Sequence, residues 1–350
     1  MIYVHVPFCR SFCRYCDFYS EIACRGRENF EDYIRELCLE AQSRKAEIEA
    51  ASAVDTLYIG GGTPSVMPLP FFESLLEALD AKNHKFREFT VEVNPDDITG
   101  RGPDFARALR DLGANRISMG VQSLDDGMLR WMGRRHSAAQ AATAVSILRQ
   151  AGFDNISLDL IFGVNGMSLE MLDNTINGLL ALQPEHISAY QLSIEPGSEL
   201  ARQLEEGVYT ELPDEHCRAP YELICRKLRE AGYKHYEISN WAKPGREAIH
   251  NSAYWTRAPY VGLGPGAHSL AIRADGTQLR SWNPQTTAGW LRVRAAHPED
   301  CQELLTPEEI EEERIMLGLR TARGTTIDGR TVRIPESDWF IADSIIQNYI

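Results

Sequence analysis

The chain has 350 residues, 43% of them apolar, with 36 basic against 50 acidic side chains and a formal charge of −14. At roughly 150 residues per domain this excludes a disordered or fibrous chain and suffices for one large domain with an appendage, or two domains. The acidic surplus, with no Lys/Arg cluster against it, excludes the basic field that a phosphate backbone requires, so no nucleic-acid partner is expected. No apolar run approaches the roughly 18 residues of a membrane span. The opening MIYVHVPFCRSFC has neither the basic start nor the long apolar core of a signal peptide. A cytoplasmic chain with at most peripheral membrane contact is the expectation.

The first strand signal is Tyr3 to Val6, and three of the eight cysteines, Cys9, Cys13 and Cys16, follow it at once. Glu28 to Ala50 then spaces Phe30, Tyr33, Ile34, Leu37 and Ala41 as one face of a helix. Val54 to Ile59 is β-branched and aromatic and stops at three glycines, which predicts a strand, and Pro70 to Asp80 a helix. The alternation continues with strands at Phe89 to Val93, Arg116 to Met119, Ile156 to Phe162 and His186 to Leu192. Helices are predicted between them at Pro103 to Leu112, Ser137 to Ala151 and Ser168 to Leu182. Six strands alternating with helices predict an α/β chain built on a parallel sheet or barrel.

In a barrel the chemistry gathers at the C-terminal ends of the strands. Those ends carry the three cysteines, Gly60-Gly61-Gly62-Thr63, Glu92 with Asn94, Gln122, Asp159 and Gln191. A doubly wound sheet fits the same rhythm. Past Leu192 a helix is predicted at His216 to Ala231 and a strand at Tyr233 to Ser239. The stretch Pro259 to Ser269 holds too many glycines for regular structure and is expected near the site mouth. A charged helix from Thr306 to about Leu319 and an apolar stretch near Trp339 to Ile350 close the chain.

The C-x3-C-x2-C spacing lets one loop wrap a metal, and thiolates select zinc, copper(I) or iron–sulfur clusters. A structural zinc site wants four protein ligands, commonly in two pairs. No second C-x2-C is present, although Cys24 or His5 could add a fourth ligand. A [4Fe–4S] cluster held by three thiolates leaves one iron open to a small molecule. Phe12, Tyr15 and Phe18 interleave the cysteines and could screen such a cluster from water. The other cysteines, Cys24, Cys38, Cys217, Cys225 and Cys301, are expected to be buried as small apolar residues.

The cysteine triplet after a first strand, with a glycine-rich loop after the second, resembles the radical S-adenosylmethionine (SAM) superfamily. The resemblance implies a partial (β/α)6 barrel over residues 1–200, a smaller α+β extension over 201–300 and a short helical module over 301–350. In that superfamily Cys9, Cys13 and Cys16 would hold a [4Fe–4S] cluster whose open iron binds SAM, and an electron from the cluster would release an adenosyl radical. The blocks YVHVPFC, GGGTP, VEVN, SMGVQ and LDLIFG are similar to the group containing oxygen-independent coproporphyrinogen III oxidases and the heme chaperones. The resemblance then assigns SAM contacts to Tyr3, Tyr15, Gly61, Gly62, Thr63, Glu92, Gln122, Arg134, Asp159 and Gln191, with Arg134 suited to the carboxylate. His5 is assigned no catalysis.

Two departures from the oxidase favour the heme chaperone branch, the HemW family. Phe18 stands where the oxidase carries a further cysteine, and the first cluster cysteine is already at residue 9. His250-Asn251-Ser252-Ala253-Tyr254-Trp255 matches the chaperones' HNxxYW pattern, in which histidine could ligate heme iron and the aromatic rings face a porphyrin. Cys217 beside His216 is an alternative heme contact. The branch implies heme as ligand, acceptor hemoproteins such as respiratory cytochromes as partners, and an electron donor to the cluster. No catalytic residue is assigned. The alternatives are decarboxylation of coproporphyrinogen III propionates by the adenosyl radical, or a non-catalytic iron–sulfur or zinc barrel. Gly163-Val-Asn-Gly-Met167 replaces the group's usual G-L-P-x-Q, and the C-terminal module is short.

Overall fold

A computed structural model describes residues 1–16, 21–22, 27–293 and 301–350. Phe18 and Cys24 lie outside the described residues. The six predicted strands all form: β1 (Ile2–Val6), β2 (Thr56–Gly61), β3 (Glu88–Val93), β4 (Arg116–Gln122), β5 (Ile156–Phe162) and β6 (His186–Gln191). They pair in chain order and all parallel, so this is an α/β fold on a parallel sheet. Val54 belongs to a short 3-10 turn instead of β2.

Helices α1 (Arg27–Ser43), α2 (Leu69–Ala78), α3 (Pro95–Asp111), α4 (Ala138–Gln150) and α5 (Leu169–Ala181) connect the strands. Helix α4 starts at a capping box, Ser137 and Gln140 each bonding the other's backbone N–H, and Ser168 caps α5. Helix α3 begins eight residues before its predicted start. Pro95 and the acidic pair Asp96 and Asp97 suit a first turn, and the helix expected to start at Pro103 is instead the part after a kink at Gly102, φ +76°.

Strand parity separates core from site. On β4, Ile117, Met119 and Val121 are buried in the apolar core, while Ser118, Gly120 and Gln122 face the interior of the curved sheet. On β5, Leu158 and Leu160 lie in the core, and Asp159 and Ile161 face the same interior. A strand buried on one face by helices thus leaves its other face to carry polar groups.

The segment after Leu192 completes the sheet at both edges. Following α6 (Asp214–Glu230), strands β7 (Lys234–Glu237) and β8 (Asn240–Ala242) form a hairpin, and β8 pairs antiparallel with β6. Strand β9 (Val261–Leu263) pairs parallel with β1. The glycine-rich stretch expected to be irregular therefore supplies a sheet strand. Added to Gly262, a Cβ would strike the His268 carbonyl, so glycine is what lets β9 lie this close to the next chain segment. A buried polar knot fixes the strand: Arg44, just past the end of α1, donates to the Gly262 carbonyl at 2.7 Å, and Glu40 on α1 accepts from the Gly264 amide at 2.9 Å, Asn283 at 2.7 Å and Trp290 at 3.1 Å.

Strands β10 (His268–Ile272), β11 (Gln278–Trp282) and β12 (Gln302–Leu304) make a small antiparallel sheet. The end of the chain forms α7 (Pro307–Leu319), the hairpin of β13 (Thr325–Ile327) with β14 (Arg330–Val332), and a 3-10 turn at Glu336–Ile341. Ile315, Leu319, Ile334 and Trp339 are buried in the same core as the parallel sheet. No helix among the described residues is long and apolar enough to cross a membrane.

Candidate functional site

The C-terminal ends of the strands surround a cavity of about 550 Å3, a size suited to a small-molecule ligand. Cys9, Cys13 and Cys16 line one side of it. Of the ten residues expected to meet SAM, nine line it: Tyr15, Gly61, Gly62, Thr63, Glu92, Gln122, Arg134, Asp159 and Gln191. The cysteine loop is tied in place by backbone bonds from the Arg14 amide to the Met132 carbonyl (3.1 Å) and from the Leu200 amide to the Arg14 carbonyl (2.8 Å). Phe12 lines the mouth with half its surface exposed, so it screens less than the sequence suggests.

Tyr3 is the exception. Strand register puts Tyr3 beside Tyr58, Tyr58 beside Thr90 and Thr90 beside Arg116, one layer below the pairing of Glu92 with Ser118. Tyr3 therefore lines a second cavity of about 130 Å3 beneath the first, with Tyr58, Arg116, His186 and His250, and its hydroxyl bonds His5 Nδ1 at 3.0 Å. Ser118 and Tyr190 line both cavities and were assigned no role from the sequence. Both sit on strands at the inward parity, which is the signal that would have found them.

Arg134 is held at the centre of the upper cavity. Its guanidinium donates to Asn94 Oδ1 at 2.6 Å, to the Gly120 carbonyl at 2.5 Å and to Cys13 Sγ at 3.4 Å. Asn94 in turn donates to Thr63 Oγ1 at 3.1 Å, which lies 3.4 Å from Cys9 Sγ. A chain of polar contacts thus joins two cluster cysteines to the ends of β2, β3 and β4. Arg135 instead pairs with Asp96 at 3.6 Å near the surface.

Glu92 accepts from the Tyr58 hydroxyl at 2.6 Å and from the Gly61 amide at 3.1 Å. Burial pushes its carboxyl up to about 7, with the Asp159 charge adding to the rise and the two hydrogen bonds opposing it. Burial likewise raises Asp159 to about 6, opposed by Ser188 and two arginines.

The glycines do more than expose backbone. Added to Gly62, a Cβ would lie 2.8 Å from the Phe8 carbonyl and 2.9 Å from that of Val6, and at Gly61 it would enter the His5 ring. Their bareness is required first by packing against β1 and the cysteine loop.

The cavity fits a cluster with SAM. Gln122 Oε1 and Asp159 Oδ1 are buried acceptors without partners, and Arg134 Nε is a buried donor without one. Orphaned acceptors suit an amino group and ribose hydroxyls, an orphaned guanidinium donor suits a carboxylate, and three thiols suit iron.

The residues expected to meet heme are placed differently. His250 is buried on a short helix, Ile249–Tyr254, with Nδ1 2.8 Å from Thr56 Oγ1 and Nε2 3.1 Å from the Tyr254 hydroxyl. Both ring nitrogens are engaged within the fold, so one of these contacts would have to give way before His250 could meet iron. Tyr254 lines the lower cavity, and Trp255 Nε1 is buried without a partner. Cys217 is buried while His216 is exposed, so the two do not form one contact. Cys225 is also buried, whereas Cys38 and Cys301 are only partly so. The Gly163–Met167 loop packs on Tyr209 and Thr210 through Asn165 and lies outside the cavity wall.

This fold and site define a class. The family described as the radical SAM superfamily matches residues 3–179. The heme chaperone HemW of Bacillus subtilis is 34% identical over 93% of this chain and 84% of its own length. HemW of Escherichia coli is 34% identical over 84% of this chain and 76% of its own. The mitochondrial radical S-adenosyl methionine domain-containing protein 1 of Danio rerio is 32% identical over 96% and 76%. The structure of E. coli coproporphyrinogen III oxidase (HemN) superposes with a TM-score of 0.74 over 92% of this chain and 75% of that one, at 21% identity. The chain belongs to the radical SAM superfamily and, within it, to the family of the HemW heme chaperones.

Proposed function

We propose that this chain is a heme chaperone: it holds a [4Fe–4S] cluster on Cys9, Cys13 and Cys16, binds SAM in the adjoining cavity, and carries heme to acceptor hemoproteins in the cytoplasm or at a membrane surface. The observation that carries the reading is the convergence of three thiols and nine SAM-type residues on one cavity. The kinship with HemW proteins supplies the heme.

Bound there, the cluster supplies an open iron and, from an electron donor, an electron. The chain's own residues do the rest. Arg134 offers its unpaired Nε to the carboxylate of SAM, and Asn94 keeps the guanidinium turned toward Cys13. Gln122 and Asp159 accept from SAM's N–H and O–H groups. Glu92, poised near neutrality, takes or keeps a proton between Tyr58 and the Gly61 amide. Tyr15, packed on the Met128 and Met132 cluster, covers the cysteine side.

The test is anaerobic reconstitution with iron and sulfide, then heme titration, transfer to an apocytochrome, and a coproporphyrinogen III assay on the same sample. A stoichiometric heme complex that loads the apocytochrome and leaves coproporphyrinogen III unchanged is expected. Turnover of coproporphyrinogen III would replace the chaperone reading with the oxidase, and a protein that takes zinc but no cluster would remove both.

A further inference from the structure

Outside the lining of both cavities, three metal-type side chains from three separate elements meet under the C-terminal turn. Cys225 on α6, His235 on β7 and Glu336 at the start of the final 3-10 turn place one ligand atom each within 4.8 Å of one another. We propose that this cluster is a divalent transition-metal site, suited to zinc, that fastens the end of the chain to α6 and β7. The donor set of one thiol, one imidazole and one carboxylate is borderline-soft and matches zinc; it is one protein ligand short of a closed structural site, so water would complete the four and the metal would exchange more readily.

The surroundings are those of a prepared ligand set. His235 stacks on Trp241 with centroids 3.9 Å apart and 11° between planes, and meets the edge of Trp339 at 4.3 Å, so its ring cannot turn freely. Its Nε2 lies 3.4 Å from the Ile238 carbonyl, the outer contact that commonly orients a metal-bound histidine, which leaves Nδ1 facing Glu336 Oε1 at 3.1 Å. Arg229 holds the other carboxylate oxygen, Oε2, at 2.8 Å and so turns Oε1 inward. Its charge opposes a cation, and burial, with the Glu336 charge beside it, pushes the Cys225 thiol up to about 12, so a metal must displace that proton to bind. Burial lowers the His235 imidazole and so favours the neutral ring a ligand must present, and any proton shared between Nδ1 and Glu336 Oε1 is one that a metal would displace.

Three neighbouring thiols can also bind zinc, so the test uses the full chain with Cys9, Cys13 and Cys16 changed to serine. Titration of zinc alone against a chromophoric chelator should show one bound equivalent. Cys225→Ser and Glu336→Gln should each weaken it by about tenfold or more. Cobalt(II) should give a thiolate charge-transfer band that Cys225→Ser abolishes. Glu336 is a third exposed, so Glu336→Gln leaves the core intact and decides the matter if Cys225→Ser fails to fold. No zinc bound by the triple-serine chain, or binding unchanged in Glu336→Gln, overturns the proposal. This outcome is independent of cluster and heme binding.

Discussion

Arg134 is the residue on which the upper cavity turns, because Asn94, Gly120 and Cys13 all fix one guanidinium. Hydrogen bonds to charged groups contribute about 1.5–3 kcal/mol. Arg134→Gln should therefore weaken SAM binding to the reconstituted protein by about 10- to 100-fold in calorimetry, while Arg135→Gln, at the cavity rim on a 3.6 Å pair with Asp96, should weaken it far less. His250 shows the opposite case. Its two ring contacts, to Thr56 and Tyr254, are buried, so His250→Ala should cost about 1–3 kcal/mol in urea unfolding and leave heme stoichiometry intact. A variant that loses heme at unchanged stability would return the histidine to the ligand role. The raised carboxyls give a pH signature. Glu92, Asp159 and Glu237 bind protons more tightly folded than unfolded, so their contribution is complete at low pH and is lost as pH rises through about 6 to 7. The melting temperature of the cofactor-free chain should fall between about pH 5 and about pH 7.5, and Glu92→Gln should flatten that slope in part.

Among the elements, the loop after β2 and helix α3 give contrasting glycines. Gly62→Ala would drive a methyl into the Val6 and Phe8 carbonyls, displacing the loop that carries Cys9. It should abolish cluster assembly, read from the absorbance of the reconstituted protein. Gly100 in α3 has open space around its missing side chain, and Gly100→Ala should stabilise by about 0.5–1 kcal/mol, checked by urea unfolding. The six strands and their helices were legible because each strand is a short apolar run bounded by glycine or proline. Strand β9 was not: VGL sits among glycines, and only the Glu40 and Arg44 knot with the free edge of β1 makes it a strand.

Over the whole molecule, the chain end is a load-sharing part of one core. Trp339 is buried, donates to the Ile334 carbonyl at 2.8 Å and packs on His235. Trp339→Ala should cost about 3–5 kcal/mol, read as a lower urea midpoint with the sheet's helical signal lost in the same transition. A separate early transition would instead mark residues 301–350 as an independent module. The strands of 201–300 likewise close both edges of the sheet, so the extension and the parallel core are built as one body of strands.

The sequence by itself determined the parallel α/β class, the cysteine triplet and nine of the ten residues expected around the cavity. Strand ends in a parallel sheet converge whatever the details, and side-chain parity is local. The tertiary structure alone decided which layer each inward residue occupies. A two-residue difference in register sends Tyr3 to the lower cavity and keeps Glu92 in the upper one. It also decided that His250 is tied within the fold and that Cys225, His235 and Glu336 meet at all, since contacts between residues up to 194 positions apart depend on how elements pack and leave no periodic trace in the chain.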